Sequence, residues 1–210
     1  MRVRITFSKF GPLRYIGHLD LHRIWERTCR RAGIPLSYSQ GFHPQPRISM
    51  AAALPLGFIG QAELMDMWLE NEEEILKILN RLQENAPPGL ILTDIQSIEL
   101  HQPALQTQVL FANYKVEFLD PVDGDEIVHQ IDKMIFSKTI VRTRRSREYD
   151  LRPLIDSIKY TVSEGSFTGL AMRLSASPAA TGRPEEILSE FGIKPEDTRI
   201  TRTGLVLKTE

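Results

Sequence analysis

Cysteine is almost missing from this chain of 210 residues, which holds a single one, Cys29. That excludes an internal disulfide, and it excludes a thiolate cluster able to hold zinc or an iron–sulfur centre within one chain. A lone thiol fits a reducing compartment, and Cys29, beside the apolar stripe of a predicted helix, reads as a packed thiol rather than a reactive one. Long apolar runs are missing too. Nothing approaches the roughly 18 to 20 consecutive apolar residues that cross a bilayer, and the stretch from Met1 to Asp20 reads as a strand and a polar loop, not a signal peptide. The expected setting is cytoplasmic, with no membrane partner. Low-complexity tracts and short repeats are absent, and 41% hydrophobic with 25% charged residues is ordinary globular composition, which argues against disorder.

What is present is an uneven distribution of charge. The net charge is only −1, yet residues 1–50 carry Arg2, Arg4, Lys9, Arg14, Arg23, Arg27, Arg30, Arg31 and Arg47 against Asp20 and Glu26, an excess of seven. Acidic residues gather later, at Glu70, Glu72, Glu73 and Glu74 and at Asp120, Asp123, Asp125 and Glu126, where carboxylates favour predicted helix starts. The basic excess has no such local reason.

Two similar halves are expected, at 1–104 with the basic helix and at 105–210. In the first, alternating Val3, Ile5 and Phe7 mark a strand, and Leu21, Ile24, Trp25, Thr28 and Ala32 follow helical spacing until Gly33 and Pro35. Extended stretches are expected at about 47–54 and 62–70. Asn71 with Glu74 reads as a variant capping box for a second helix burying Ile75, Ile78, Leu79 and Leu82, and a strand from Leu90 follows. The second half repeats this order. A strand near 108–119 leads to a helix from about 123 with Ile127, Val128, Ile131, Met134 and Ile135 inward. Strands near 138–145, 156–162 and 167–175, a helix from Pro184 and a last strand complete it. Two ferredoxin-like βαββαβ halves, an α+β fold, account for this order.

Several groups could carry function. Arg23, Arg27, Arg30 and Arg31 share one helix face, where guanidinium groups suit phosphates and would bind a nucleic-acid backbone in a salt-dependent way; a plain solvated face is the competing reading. Arg142, Arg144, Arg145 and Arg147 form a second basic run, either a binding surface or a charged hairpin edge. The loop 38–48 combines Tyr38, Phe42, His43 and Arg47 with Gly41, Pro44 and Pro46. Its rings could stack on an unpaired base, or Phe42 could plug the core. His18 and His22, four apart around Asp20, with His43 approaching, invite a metal reading or a general acid–base reading. The spacing lacks the usual zinc-helix context, and Asp20 fits a cap or an arginine partner better. No metal or other cofactor is therefore expected, and no reaction is established by these residues.

Over Lys9 to Leu21, then Arg30 to Pro35, then Tyr38 to Ile48, and again over Tyr149 to Ile155, the chain resembles the bacterial radical-SAM-linked protein family, a family of unknown function. The resemblance implies a radical S-adenosylmethionine protein as partner, a ribonuclease of the E/G type as a possible neighbour, and a role in RNA metabolism. It implies no catalytic residue. With one cysteine the chain lacks the three-cysteine cradle of a radical S-adenosylmethionine enzyme, so it is at most the companion of one. Gly17-His18-Leu19-Asp20-Leu21 and Gly41-Phe42-His43-Pro44 are intact against the family pattern, which keeps His18, Asp20 and His43 as candidates for a shared or catalytic site. Three readings follow: a module that binds RNA and presents it, with Arg14, Arg23, Arg27, Arg30, Arg31, Phe42, His43, Arg47 and Arg144 as contacts; an RNA-processing or RNA-modifying enzyme using His18, His22 or His43; and a factor that grips a protein partner.

Overall fold

The fold was obtained as a computed structural model, which describes residues 1–144, 146–163 and 166–208. The chain is α+β and divides into two compact units, Met1–Val109 and Leu110–Glu210.

In the first unit, β1 (Arg2–Lys9) alternates sharply, and its Val3, Ile5 and Phe7 are buried against helices. A 3-10 turn over Gly11–Tyr15 leads into α1 (His18–Arg31), which buries Leu21, Trp25, Thr28 and Cys29. Trp25 meets Phe7 edge-on, with centroids 5.0 Å apart. α1 stops because Gly33 takes φ +63°, a left-handed conformation that glycine adopts without a Cβ clash. Ile34 N then donates to Cys29 O and Gly33 N to Arg30 O, closing the last turn.

Next come β2 (Ile48–Met50), β3 (Ile59–Trp68), α2 (Ile75–Asn85), β4 (Leu90–Ile98) and the short α3 (Leu105–Gln108). β1 pairs antiparallel with both β3 and β4, and β2 pairs antiparallel with β3. The order β4-β1-β3-β2 with α1 and α2 as crossovers is the ferredoxin-like arrangement. Three expectations need correcting. The stretch from 47 to 54 holds only a three-residue strand, and β3 begins at Ile59, three residues earlier than expected. The Asn71/Glu74 capping box does not form: Glu74 itself is the N-cap residue and makes no side-chain cap bond. Its carboxylate pairs with Lys77, while Glu73 binds Arg81.

In the second unit, β5 (Val109–Phe118) precedes α4 (Gly124–Phe136), which is capped by the Asp123 side chain accepting from Asp125 N and Glu126 N. A hairpin of β6 (Val141–Arg144) and β7 (Arg147–Asp150) is inserted before β8 (Ile155–Ser163). Then follow β9 (Ser166–Ser177), β10 (Ala180–Thr181), α5 (Pro184–Glu190) and β11 (Thr198–Leu207). β9 pairs with β8 and β10 on one side and β5 on the other, and β11 lies beside β5. Without the hairpin and the two-residue β10 this is the same βαββαβ order. The single strand expected near 138–145 is thus one arm of an inserted hairpin, and Arg145 lies outside the described residues.

Candidate functional site

The outer face of α1 carries Arg23, Arg27, Arg30 and Arg31, all exposed, opposite the buried Leu21–Trp25–Cys29 stripe. The four differ in what holds them. Arg31 donates to Asn85 O at 2.6 Å, satisfying a carbonyl at the C-terminal end of α2, where a cation is favoured. Arg23 meets Asp20 at 3.2 Å with both side chains well solvated, a pair worth little. The side chains of Arg27 and Arg30 make no hydrogen bond or ion pair among the described residues. Gly17 is the N-cap residue of α1, so Asp20 sits in the first turn and holds Arg23 rather than capping.

The loop after α1 is pinned at its base. Tyr38 bridges Pro46, Ser39 N donates to Gln45 O at 2.8 Å, and Gln45 N donates to Ser39 Oγ. At the tip Phe42 is fully exposed, so it does not plug the core; Tyr38 and His43 are exposed as well. Arg47 lies 4.6 Å over the Trp68 ring, and Arg14 packs on and bonds to Tyr15. His22 Nε2 lies 3.3 Å from Ile48 O. Among the described residues no three His, Cys, Asp or Glu side chains stand together as a metal-binding group, so His18, His22 and His43 are not gathered into one. Cys29 is buried, and loss of solvation pushes its thiol up to about 12.

In the second unit, Arg142 is tied down, pairing with Glu190 at 2.6 Å and donating to Glu186 O at 2.9 Å. Arg144 closes the hairpin opposite Arg147. Tyr149 is pushed up to about 12, first by desolvation and then by Glu186.

Burial also corrects the count of basic residues. Arg2, Arg4 and Lys9 contribute to the excess of seven but are buried. Asp66, fully buried, accepts from Arg2 Nε at 3.0 Å and Nη2 at 2.6 Å, and from Arg4 Nε at 2.7 Å and Nη2 at 3.1 Å. Arg2, Arg4 and Asp66 lie on the sheet face away from α1 and α2. The segment after β4 crosses that face: Arg2 donates to Gln102 O and Pro103 O, and Gln106 donates to Ser49. The basic surface that remains is therefore mainly the α1 face with the loop beside it. Asp66 and the buried Glu63 were not singled out from sequence. Strand alternation alone does not tell which face of a sheet is covered.

These features define an α+β protein of two ferredoxin-like units. The chain belongs to the bacterial family described as an uncharacterized protein conserved in bacteria (DUF2344), which matches residues 2–184. No curated protein matches it. Among solved structures it is similar to a chain of a Cbf5-Nop10-Gar1 complex, at 9% identity and TM-score 0.53, covering 97% of this chain and 48% of that one. It also matches a chain of an H/ACA RNP bound to a substrate RNA containing 2'-deoxyuridine, at 10% identity and TM-score 0.47, covering 95% and 46%. This chain thus spans about half the length of each, and at such identities the likeness is one of fold.

Proposed function

We propose that this protein binds RNA through the outer face of α1 and the 38–47 loop and presents it to a radical S-adenosylmethionine partner. The observation that carries the reading is the pair Arg27 and Arg30, whose side chains are exposed and unengaged, while Arg2 and Arg4 are buried and both bound to Asp66. Unengaged guanidinium groups in line on a helix can each neutralise a phosphate and release its counterion. Phe42, projecting from a loop fixed at its base, offers a ring on which an unpaired base can stack. Modules of ferredoxin-like layout commonly bind RNA on the open sheet face. Here that face is crossed by residues 102–108, which favours the helix face instead. The resemblance of the 9–21 and 38–48 stretches to radical-SAM-linked proteins supports the choice of partner and of RNA metabolism, with a ribonuclease of the E/G type as a second candidate neighbour.

The test is salt-dependent retention of a mixed cellular RNA pool by the purified protein, followed by sequencing of what is retained. Changing Arg27 and Arg30 together to glutamate should abolish retention at moderate salt. Changing both to alanine should reduce the salt slope by about 1.4, at roughly 0.7 per single-strand phosphate contact. If the alanine pair leaves affinity and slope unaltered, the helix face is a solvated surface. If no RNA is held even at low salt, the same surface is better read as a grip for a protein partner.

A further inference from the structure

In the second unit β8 is an edge strand that pairs with β9 alone. Among the described residues, no backbone group from 156 to 162 bonds to anything outside that β8–β9 hairpin. α4 runs alongside this open edge. Its start packs on β9, where a Cβ built at Gly124 would lie 2.8 Å from Phe167 Cβ. Near its end, Ile135 O accepts from Arg152 Nε and Nη2, just before β8 begins. Between α4 and β8 lies a groove of about 340 Å³, walled by Val128, Ile131 and Ile135 on the helix and by Ile158 and Tyr160 on the strand.

The groove has an apolar floor, for Ile131 and Ile158 are buried, the latter opposite the buried Met172. Tyr160 stands opposite the buried Leu170 yet is 53% exposed. Its ring ends a row: it stacks 6.2 Å from Phe167, which stacks 5.6 Å from Phe118. Strand alternation turns Lys159, between Ile158 and Tyr160, to the other sheet face. There it is exposed, and its side chain makes no hydrogen bond or ion pair among the described residues.

An open strand edge with an apolar groove beside it suits an extended backbone, which pairs with the edge and sets alternate side chains in the groove. A nucleic-acid strand carries no alternating amide and carbonyl groups to match that edge. Lys159 narrows the choice further. If β8 paired antiparallel with a second copy about a two-fold centred on Ile158, Lys159 or Tyr160, each Lys159 would lie directly or diagonally across from its counterpart. Like charges so placed oppose pairing, whereas a carboxylate at the same place favours it. We propose that the α4–β8 groove receives an extended segment of a partner protein, added to β8 as a further strand. Its alternate apolar side chains enter the groove, and an acidic side chain between them faces Lys159. This uses the second unit alone and does not rest on the RNA-binding reading.

The experiment pans a displayed library of random nine-residue peptides on the purified full chain, then follows a selected peptide by fluorescence anisotropy and by amide hydrogen exchange of the protein. Selected peptides should share two apolar residues with Asp or Glu between them. They should bind with a dissociation constant on the order of 100 µM, as suits a short segment that is ordered on binding. Bound peptide should slow exchange of the outward-facing amides of β8. Lys159→Glu, at an exposed position, should weaken binding about fivefold or more and, panned afresh, should select Lys or Arg between the apolar residues. Tyr160→Ala should weaken binding as well, while replacing Arg27 and Arg30 by alanine should leave it unchanged. No enrichment, enriched peptides without the alternation, or binding indifferent to both β8 substitutions overturns the inference. So does a dimer seen by sedimentation whose β8 amides are protected without peptide, which assigns the edge to a second copy. A mixed RNA pool that protects the same amides assigns the groove to nucleic acid and overturns it too.

Discussion

Asp66→Asn is the substitution with the largest effect expected from the buried charges. Asp66 is fully buried and accepts four bonds of 2.6 to 3.1 Å from two guanidinium groups that are themselves nearly free of solvent. Asparagine keeps the shape but removes the charge, and its amide nitrogen cannot accept. Two cations would then be left inside with one neutral oxygen between them. Removing one partner of a buried ion pair destabilises by about 3 to 5 kcal/mol, against a typical total of about 5 to 15 kcal/mol for a domain. Arg2 retains the carbonyls of Gln102 and Pro103. That partial compensation places the expected loss nearer the lower end, about 3 kcal/mol. Both tryptophans of the chain, Trp25 and Trp68, lie in the first unit, so fluorescence during urea titration follows that unit alone. The midpoint should fall by about 1 to 3 M at ordinary slopes for a small domain. Asp20→Asn, which removes an exposed partner of Arg23, should change stability by less than about 1 kcal/mol. An Asp66→Asn protein within about 1 kcal/mol of the unaltered one would refute the argument that the paired charge holds this face together.

Two further outcomes follow from burial. Cys29 should resist thiol reagents in the native protein at pH 8 and react fully once unfolded. Because folding raises its value, the unfolded thiol ionises first, so stability should be constant at neutral pH and decline as pH rises from the ordinary thiol range towards about 12; reaction at the rate of a free thiol would show the site to be open. Phe42→Ala should leave the urea midpoint unchanged, because the ring touches little, and should weaken single-strand binding by about 1 to 3 kcal/mol if a base stacks there. An unchanged affinity would remove the loop tip from the interface.

Much of the fold was legible because periodicity is local. The alternation of Val3, Ile5 and Phe7 and the helical spacing of Leu21, Trp25 and Thr28 state which side of each element must be buried. The stop at Gly33 follows from its backbone freedom, and the order of elements in each half points to a βαββαβ unit. The failures were of a different kind. The Asn71/Glu74 pattern satisfies a capping rule, yet Glu73 and Glu74 are engaged with Arg81 and Lys77. The strand expected at 138–145 covers only the first arm of the inserted hairpin, because the second, Arg147–Asp150, is too short to carry a period-2 signal of its own.

The candidate site was half legible. The α1 arginines were visible as a face, since helical geometry places them together whatever surrounds the helix. Arg2, Arg4 and Lys9 were counted with them because charge in a sequence carries no sign of burial. A row such as Val3, Ile5, Phe7, Lys9 does contain a warning, for the fourth position falls on the core side.

Composition and local pattern, by themselves, determined that this chain folds into α+β units, that it holds no thiolate cluster, and that one helix presents a basic face. Only the tertiary structure decided which basic residues are free. Strand register set Arg4 against Asp66 and Glu63 against Phe7, and it turned Lys9 towards the end of α1 where His18 stands. Partners far apart in the chain, such as Arg4 and Asp66, meet through pairing and packing, and the free energy of a charge depends on what meets it there.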